Sequence, residues 1–298
     1  MSEMQNIQWF PGHMTKTKRQ IQASLKLVDA VAEIIDARIP VSSRNPDLDS
    51  IIQNKPRVVL MNKCDMADPS STQKWINYFK NNGIVAIPID CKTGRGINKF
   101  VSSVNEVLKE KIEKQKAKGL LNPTVRVMIV GIPNVLVIDA ENKTFKSTFI
   151  NRISKNRKAK AEDKPGVTRG NQWFTINKGF EVLDTPGVLW PKFEDKIVGE
   201  RLAFTGAVKD QIMDTELLAM RLLDFLKVEK NPIFVERFKL QNEPIEDIES
   251  YELLELIGRK RGMLISGGEI DTERAAIMLL DEYRSAKLGK YTFELPEN

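Results

Sequence analysis

A chain of 298 residues, 41% hydrophobic and 29% charged, can form one large or two modest domains with a buried core. It contains no apolar run near the roughly 18 residues a bilayer-crossing helix needs, and Met1-Ser2-Glu3-Met4-Gln5 lacks the basic and apolar segments of a secretory signal. Net charge is +6 but uneven: residues 1–199 hold 32 Lys and Arg against 20 Asp and Glu, and residues 200–298 hold 14 against 20. The basic half either faces nucleic acid or is a solvated Lys-rich surface. Two cysteines, Cys64 and Cys91, make neither a metal-ligand pattern nor a disulfide framework. Free thiols in a reducing cytoplasm are expected, with no membrane association.

In chain order, a helix is expected over about 15–27, then a short run rich in β-branched residues at 31–36. Similar runs recur at 57–62, 85–90, 125–131 and 181–184, with helical stretches at 71–81, 97–118 and 147–153 between them. Apolar runs alternating with helices, each run followed by a polar loop, predict a doubly wound α/β sheet of parallel strands. Open sheets of this kind bind ligands at the carboxyl ends of their strands, and each candidate motif lies just after a strand.

Asn62-Lys63-Cys64-Asp65 follows the second run. The Asp65 carboxylate can accept two hydrogens from guanine N1 and N2, a pattern adenine does not offer. The Lys63 stem can cover the base plane, and Asn62 can tie neighbouring loops together. Asp90-Cys91-Lys92-Thr93-Gly94, after the third run, resembles the Ser-Ala-Lys loop that closes over a guanine, with Cys91 in the small-residue place.

Gly131-Ile132-Pro133-Asn134-Val135 begins like a phosphate loop, and Lys146-Ser147-Thr148 ends like one. The expected spacing, Gly-x-x-x-x-Gly-Lys-[Ser/Thr], curls backbone amides around the β-phosphate at a helix start. Here Leu136 to Phe145 stand where a single Gly belongs. Either this stretch bulges out and Lys146 and Ser147 still reach the phosphates, or nucleotide binding is crippled. Further on, Gly166-Val167-Thr168 offers a hydroxyl to a magnesium shell. Asp184-Thr185-Pro186-Gly187 offers a carboxylate for a metal-bound water and a Gly amide for the γ-phosphate. Val188 and Leu189 stand where a water-orienting Gln would be sought.

The base motif precedes the phosphate motifs, the reverse of an ordinary GTPase, as if the cycle had been cut and rejoined. This order resembles the RbgA (YlqF) family of circularly permuted GTPases. So do Trp9-Phe10-Pro11-Gly12-His13-Met14, Asp36-Ala37-Arg38-Ile39-Pro40 and Asp184-Thr185-Pro186-Gly187-Val188-Leu189-Trp190-Pro191. The resemblance covers nearly the whole chain. It implies a permuted Ras-like GTPase domain (a P-loop NTPase) over 1–198 and a small α-helical, RNA-binding domain over 199–298. It also implies GTP/GDP and Mg2+ as ligands, and a role in late assembly of the large ribosomal subunit with its rRNA. A hydrophobic residue replaces the catalytic Gln in this family, matching Val188. Related GTPases with Asn in the phosphate loop use K+, which nominates Asn134. A monomer is expected.

Lys146 is expected to neutralise phosphate charge, Ser147 and Thr168 to hold magnesium directly, and Asp184 to hold it through water. His13, the only histidine, can orient the attacking water or be a surface residue of an N-terminal arm. Arg152, Lys155, Arg157, Lys158 and Lys160 can grip rRNA phosphates or form a solvated loop. Arg259-Lys260-Arg261 can do the same or balance the end of its helix. The Lys- and Glu-rich run 109–118 reads as a solvated helix face, and Trp9, Trp173 and Trp190 as anchors in core or loops more than as base-stacking platforms. In the C-terminal part, Ile245, Ile248, Tyr251, Leu254 and Ile257 recur at helical spacing, Gly258 is placed to end that helix, and Asp271 can cap another through Ala275, Leu279 and Tyr283. The rival function is a nucleotide-blind rRNA-binding scaffold, suggested by the interrupted loop.

Overall fold

The computed structural model describes residues 19, 21–131, 149–150, 152–153, 161–162, 172–184, 195–208 and 214–297. Among these, residues up to Lys192 together with those from Thr292 onward form an α/β unit, and those within Phe193–Tyr291 form a helical unit.

The α/β unit is built on seven strands: β1 (Ala30–Asp36), β2 (Arg57–Asn62), β3 (Val85–Pro88), β4 (Val125–Gly131), β5 (Ala161–Glu162), β6 (Gln172–Asn177) and β7 (Phe180–Asp184). They lie in the order β3-β2-β1-β4-β7-β6-β5. The five strands expected from the apolar runs are mutually parallel where they pair. β6 and β5 add antiparallel pairs at one edge. These two were not anticipated, because β6 (Gln172–Asn177) mixes polar with apolar residues, only Trp173 and Ile176 of them being fully buried, and lacks a continuous apolar run.

From β1 the chain steps to β2 and β3 on one side, then returns to place β4 on the other side of β1. The direction of winding reverses between β1 and β4, so a crevice is expected beyond their carboxyl ends.

Burial on both faces explains the composition of β1, every residue of which is buried. Ala30, Ala32 and Ile34 enter one cluster with Phe100, Phe149 and Phe180, while Val31 and Ile35 point into clusters on the opposite side. Glu33 lies on that opposite face, 1% exposed. It survives burial because Arg44 Nε stands 3.1 Å and Arg57 NH1 3.4 Å from its carboxylate. The flanking helices are α1 (Leu48–Ile52), α2 (Pro69–Asn81), α3 (Phe100–Val107) and α4 (Lys109–Ala117). Asp68 caps α2 by accepting from Ser71 N at 2.7 Å, with Pro69 in the first turn. The single helix expected over 97–118 is a 3-10 turn, α3 and α4, with a break at Leu108. None of the α4 residues is fully buried.

The final residues belong to the α/β unit. Phe293 N donates to Arg38 O at 2.9 Å, Trp75 Nε1 donates to Glu294 O at 2.7 Å, and the buried Glu294 carboxylate accepts from Ser42 N at 3.1 Å and from Val41 N.

The helical unit comprises α5 (Lys196–Phe204), α6 (Thr215–Glu229), α7 (Pro232–Arg237), α8 (Ser250–Lys260) and α9 (Thr272–Arg284). Leu222, Leu226, Leu253, Ile257, Leu279 and Tyr283 are among its buried side chains. Asp271 caps α9, accepting from Arg274 N at 3.0 Å. Gly258 does not end α8, as the sequence suggested. It lies inside the helix, where a Cβ would stand 2.7 Å from Ile270 Cγ2 and 3.3 Å from Ala275 Cβ, so close packing explains it. Ile245 and Ile248 precede the helix.

Phe100 meets both Phe149 and Phe180 edge to face, with centroids 5.2 and 5.8 Å away. Phe100→Ala is expected to cost about 3–5 kcal/mol through the cavity it leaves, read as a lowered urea midpoint with little change in the slope.

Candidate functional site

Parallel strands deliver their carboxyl ends to one edge. Asp36 (β1), Asn62 (β2), Gly131 (β4) and Asp184 (β7) each end a strand, and Asp90 follows β3 closely. The register sets Asp36 beside Asn62, Ile34 beside Gly131, and Ile129 beside Asp184. A Cβ on Gly131 would lie 3.0 Å from Ile34 O, so the backbones of β1 and β4 approach too closely for a larger residue to fit without adjustment.

Asn62 is the junction of three loops. Its backbone carbonyl accepts from Ala37 N at 2.8 Å, and its side-chain Oδ1 accepts from Cys91 N at 3.1 Å. Its Nδ2 is buried and has no hydrogen-bond partner among the described residues. A buried amide left this way is costly, and it suits a purine ring nitrogen, a carbonyl oxygen of a ligand, or a neighbouring loop carbonyl.

The next loop shapes itself. The Asp90 carboxylate accepts from Lys92 N at 2.7 Å and Thr93 N at 3.3 Å, and also from the Thr93 hydroxyl. Gly94 N donates to Asp90 O at 2.8 Å. Gly96, at φ 79°, passes so near Pro88 that a Cβ would sit 2.2 Å from its carbonyl oxygen. Cys91 contributes its amide to Asn62 while its thiol is fully buried in the core, and burial raises that thiol's pKa far above normal. Sequence reasoning placed Asp90, Cys91 and Lys92 against a nucleotide. In the structure the Asp90 carboxylate accepts from the Lys92 and Thr93 amides of its own loop, which needs internal acceptors for its backbone, and the Cys91 amide is taken by Asn62 Oδ1.

Lys63 takes a left-handed backbone, φ 58°, at a cost of roughly 1 kcal/mol. Its ammonium stands 3.2 Å from Asp36 Oδ2. The same carboxylate accepts from Arg38 Nε at 3.0 Å, Arg38 NH2 at 2.7 Å and Arg38 N at 2.9 Å. All three residues are buried. Burial opposes ionisation of Asp36, yet Arg38 and Lys63 outweigh it and hold the carboxyl well below its usual range. For Lys63 burial dominates: sharing one carboxylate with Arg38 does not repay desolvation, and its pKa is pushed down to about 8.

Arg152, read from the sequence as either gripping rRNA or lying in a solvated loop, donates to Thr93 O at 3.2 Å and to Lys92 O, tying its segment to the loop after β3. Of Arg259, Lys260 and Arg261, at and just after the end of α8, two are engaged internally. Lys260 Nζ stands 2.7 Å from both Lys239 O and Glu243 Oε1. Arg261 lies 3.3 Å from the Glu282 carboxylate and 5.1 Å over the Phe238 ring. Arg259 is exposed. Trp173 is a core residue, 4% exposed, with Arg126 over its ring at 5.6 Å. His13, Pro133, Asn134, Val135, the stretch 136–145, Lys146, Ser147, Thr148, Lys155, Arg157, Lys158, Lys160, Thr168, Gly187, Trp9 and Trp190 lie outside the described residues.

A relative from Priestia megaterium, ribosome biogenesis GTPase A, is 49% identical over 97% of this chain and 97% of its own length. The chain belongs to the ribosome biogenesis GTPase A family. A family model described as 50S ribosome-binding GTPase matches residues 126–249. That match opens on the phosphate strand and leaves the base motif upstream, as the rotated order requires. Among solved structures, GDP-bound TM YlqF is 27% identical with a TM-score of 0.63, covering 94% of this chain and 100% of that one. GNP-bound YlqF from T. maritima is 28% identical with a TM-score of 0.61, covering 95% and 99%. The fold is thus that of a circularly permuted GTPase, and the α/β unit is a guanine-nucleotide-binding GTPase domain. Among the described residues, no helix is long and apolar enough to cross a membrane.

The depressed Lys63 pKa gives a signed prediction. Between about 8 and the ordinary 10.5 the unfolded chain holds a proton that the folded one has lost, so stability rises with pH across that window. Below about 8 both states are charged and the contribution is flat. Urea unfolding of wild type and Lys63→Met at pH 7, 8.5 and 10 is expected to show wild type gaining on the variant only in the alkaline range.

Proposed function

We propose that the chain is a GTPase assembly factor for late maturation of the large ribosomal subunit, hydrolysing GTP to GDP when bound to the particle. The observation that carries this reading is the convergence of Asn62, Lys63 and Asp65 with Gly131 and Asp184 at one sheet edge, in an order rotated as in the family. The precursor particle and its rRNA are the partners of this reading, and the cytoplasm is its setting.

Asp65 accepts the guanine N1 and N2 hydrogens, and the Lys63 stem lies under the base. Asn62 holds the base loop to the segments that follow β1 and β3. Lys146 neutralises the phosphates. The donor set of Ser147 and Thr168 hydroxyls with the Asp184 carboxylate consists of hard oxygens and fits magnesium, with Asp184 acting through water. Bound there, magnesium supplies neutralisation of phosphate charge. Asn134 is the residue to which potassium would be drawn. Val188 offers no hydrogen bond to water, so orientation of the nucleophile falls to the particle or to His13.

A second reading, a nucleotide-blind rRNA scaffold, rests on the ten residues 136–145 that interrupt the phosphate motif. Titration with a fluorescent GTP analogue in magnesium and potassium, with ATP as competitor, separates the two. Saturable, guanine-specific binding is expected, and no binding up to millimolar nucleotide favours the scaffold.

Two further outcomes test the enzyme. Asp65→Asn presents an amide donor to the base, so guanine affinity is expected to fall more than about a hundredfold while xanthosine nucleotides, with an acceptor at position 2, bind better than to wild type. Hydrolysis is expected to accelerate on addition of large ribosomal subunits; equal rates with and without them count against particle-linked turnover.

A further inference from the structure

We propose that Asp36 is a positioning residue for guanine recognition: its carboxylate anchors the Lys63 ammonium and so fixes the lysine stem on which the base is received. This rests on the reading of Asn62 to Asp65 as the base loop.

Three observations support it. First, the anchor is preset. Asp36 is 0% exposed at the end of β1, its backbone N donating to Ser43 Oγ at 2.9 Å. Arg38 binds the carboxylate through both oxygens, Nε at 3.0 Å from Oδ1 and NH2 at 2.7 Å from Oδ2. A planar fork of this kind sets the plane of the carboxylate, and Oδ2 in that plane is the atom 3.2 Å from Lys63 Nζ. Second, β1 and β2 pair in register at Asp36 and Asn62, and Ala37 N donates to Asn62 O at 2.8 Å, so anchor and base loop cannot slide apart. Third, Lys63 has a left-handed backbone at φ 58°, which a residue with a side chain adopts only at a cost. Such a conformation persists where surrounding contacts determine it, and the Asp36 pair is one of them.

The physical consequence is preorganisation. An unanchored lysine samples many rotamers and loses that freedom when a base settles on its stem. Anchored by Asp36, the stem is ordered before the ligand arrives, which improves affinity without any contact between Asp36 and the nucleotide. The anchor Asp36 is nearly thirty residues upstream of Lys63, in a segment with no phosphate or base motif of its own.

The test is a double-mutant cycle on the full chain, with GDP affinity and melting temperature as readouts. Asp36→Asn is expected to weaken GDP about tenfold, and to change affinity less than about twofold when Lys63→Met is already present. At saturating GTP its turnover rate is expected to match wild type, with only KM raised, because the base platform is remote from the transferred phosphate. Equal losses in both backgrounds mean that Asp36 acts through the fold at large, which overturns the proposal and leaves the site reading standing. Failure of the wild type to bind GDP overturns both. If Asp36→Asn does not fold, Lys63→Met and Lys63→Arg carry the test. A loss in Met that Arg restores, its guanidinium still able to reach the Asp36 carboxylate, supports the anchor, and GDP affinity unchanged in Met overturns it.

Discussion

Parallel pairing is the constraint from which the rest of the α/β unit follows. Strands that run the same way must be joined by crossovers, so both faces of the sheet are covered and every strand releases its chain at one edge. β1, with all seven residues buried, is the centre of that arrangement. The chain winds outward from it on one side through β2 and β3 and on the other through β4 and β7. The carboxyl ends of β1, β2, β4 and β7 meet at one edge although 122 positions separate Asn62 from Asp184. Rotation of the sequence order leaves that meeting unchanged, because adjacency in a sheet depends on pairing and not on which strand is made first.

Covering both faces has a cost at the positions where charge is needed. Glu33 and Asp36 both lie in the buried centre strand, and each is retained through guanidinium partners: Arg44 and Arg57 for Glu33, Arg38 for Asp36. Removing one partner from such a set strands the other charges, so these groups function as units. The Glu33 set holds the segment after β1 against the sheet. The Asp36 set lies at the carboxyl edge and reaches Lys63. The two differ in position along the strand more than in chemistry.

The chain's last residues add a further tie to the same segment. Glu294 accepts from the amides of Val41 and Ser42, and Phe293 donates to Arg38 O. The loop that follows Asp36 is therefore held by its own Ser43, by β2 and by the C-terminal segment. A loop with that many fixed amides is a stable base for a carboxylate that must not move.

The β-branched runs at 31–36, 57–62 and 125–131 were legible as buried parallel strands because a strand covered on both faces must be apolar throughout, and that is a local property of sequence. Asp271 shows the same locality at a helix start. The family and the rotated motif order were equally legible, being linear patterns. β6 was not, since Gln172–Asn177 mixes polar with apolar residues and has no continuous apolar run, nor was the packing role of Gly258, which depends on Ile270 and Ala275 arriving from outside its helix. The sequence by itself determined that five runs are buried parallel strands, that each motif follows one of them, and the chemistry each motif offers. Only the tertiary structure decided that Asp90 serves its own loop, that Arg152 holds Lys92 and Thr93, and that Asp36 holds Lys63. Each of those is a hydrogen bond or ion pair whose geometry is set when the chain closes, and side-chain type alone allows many partners.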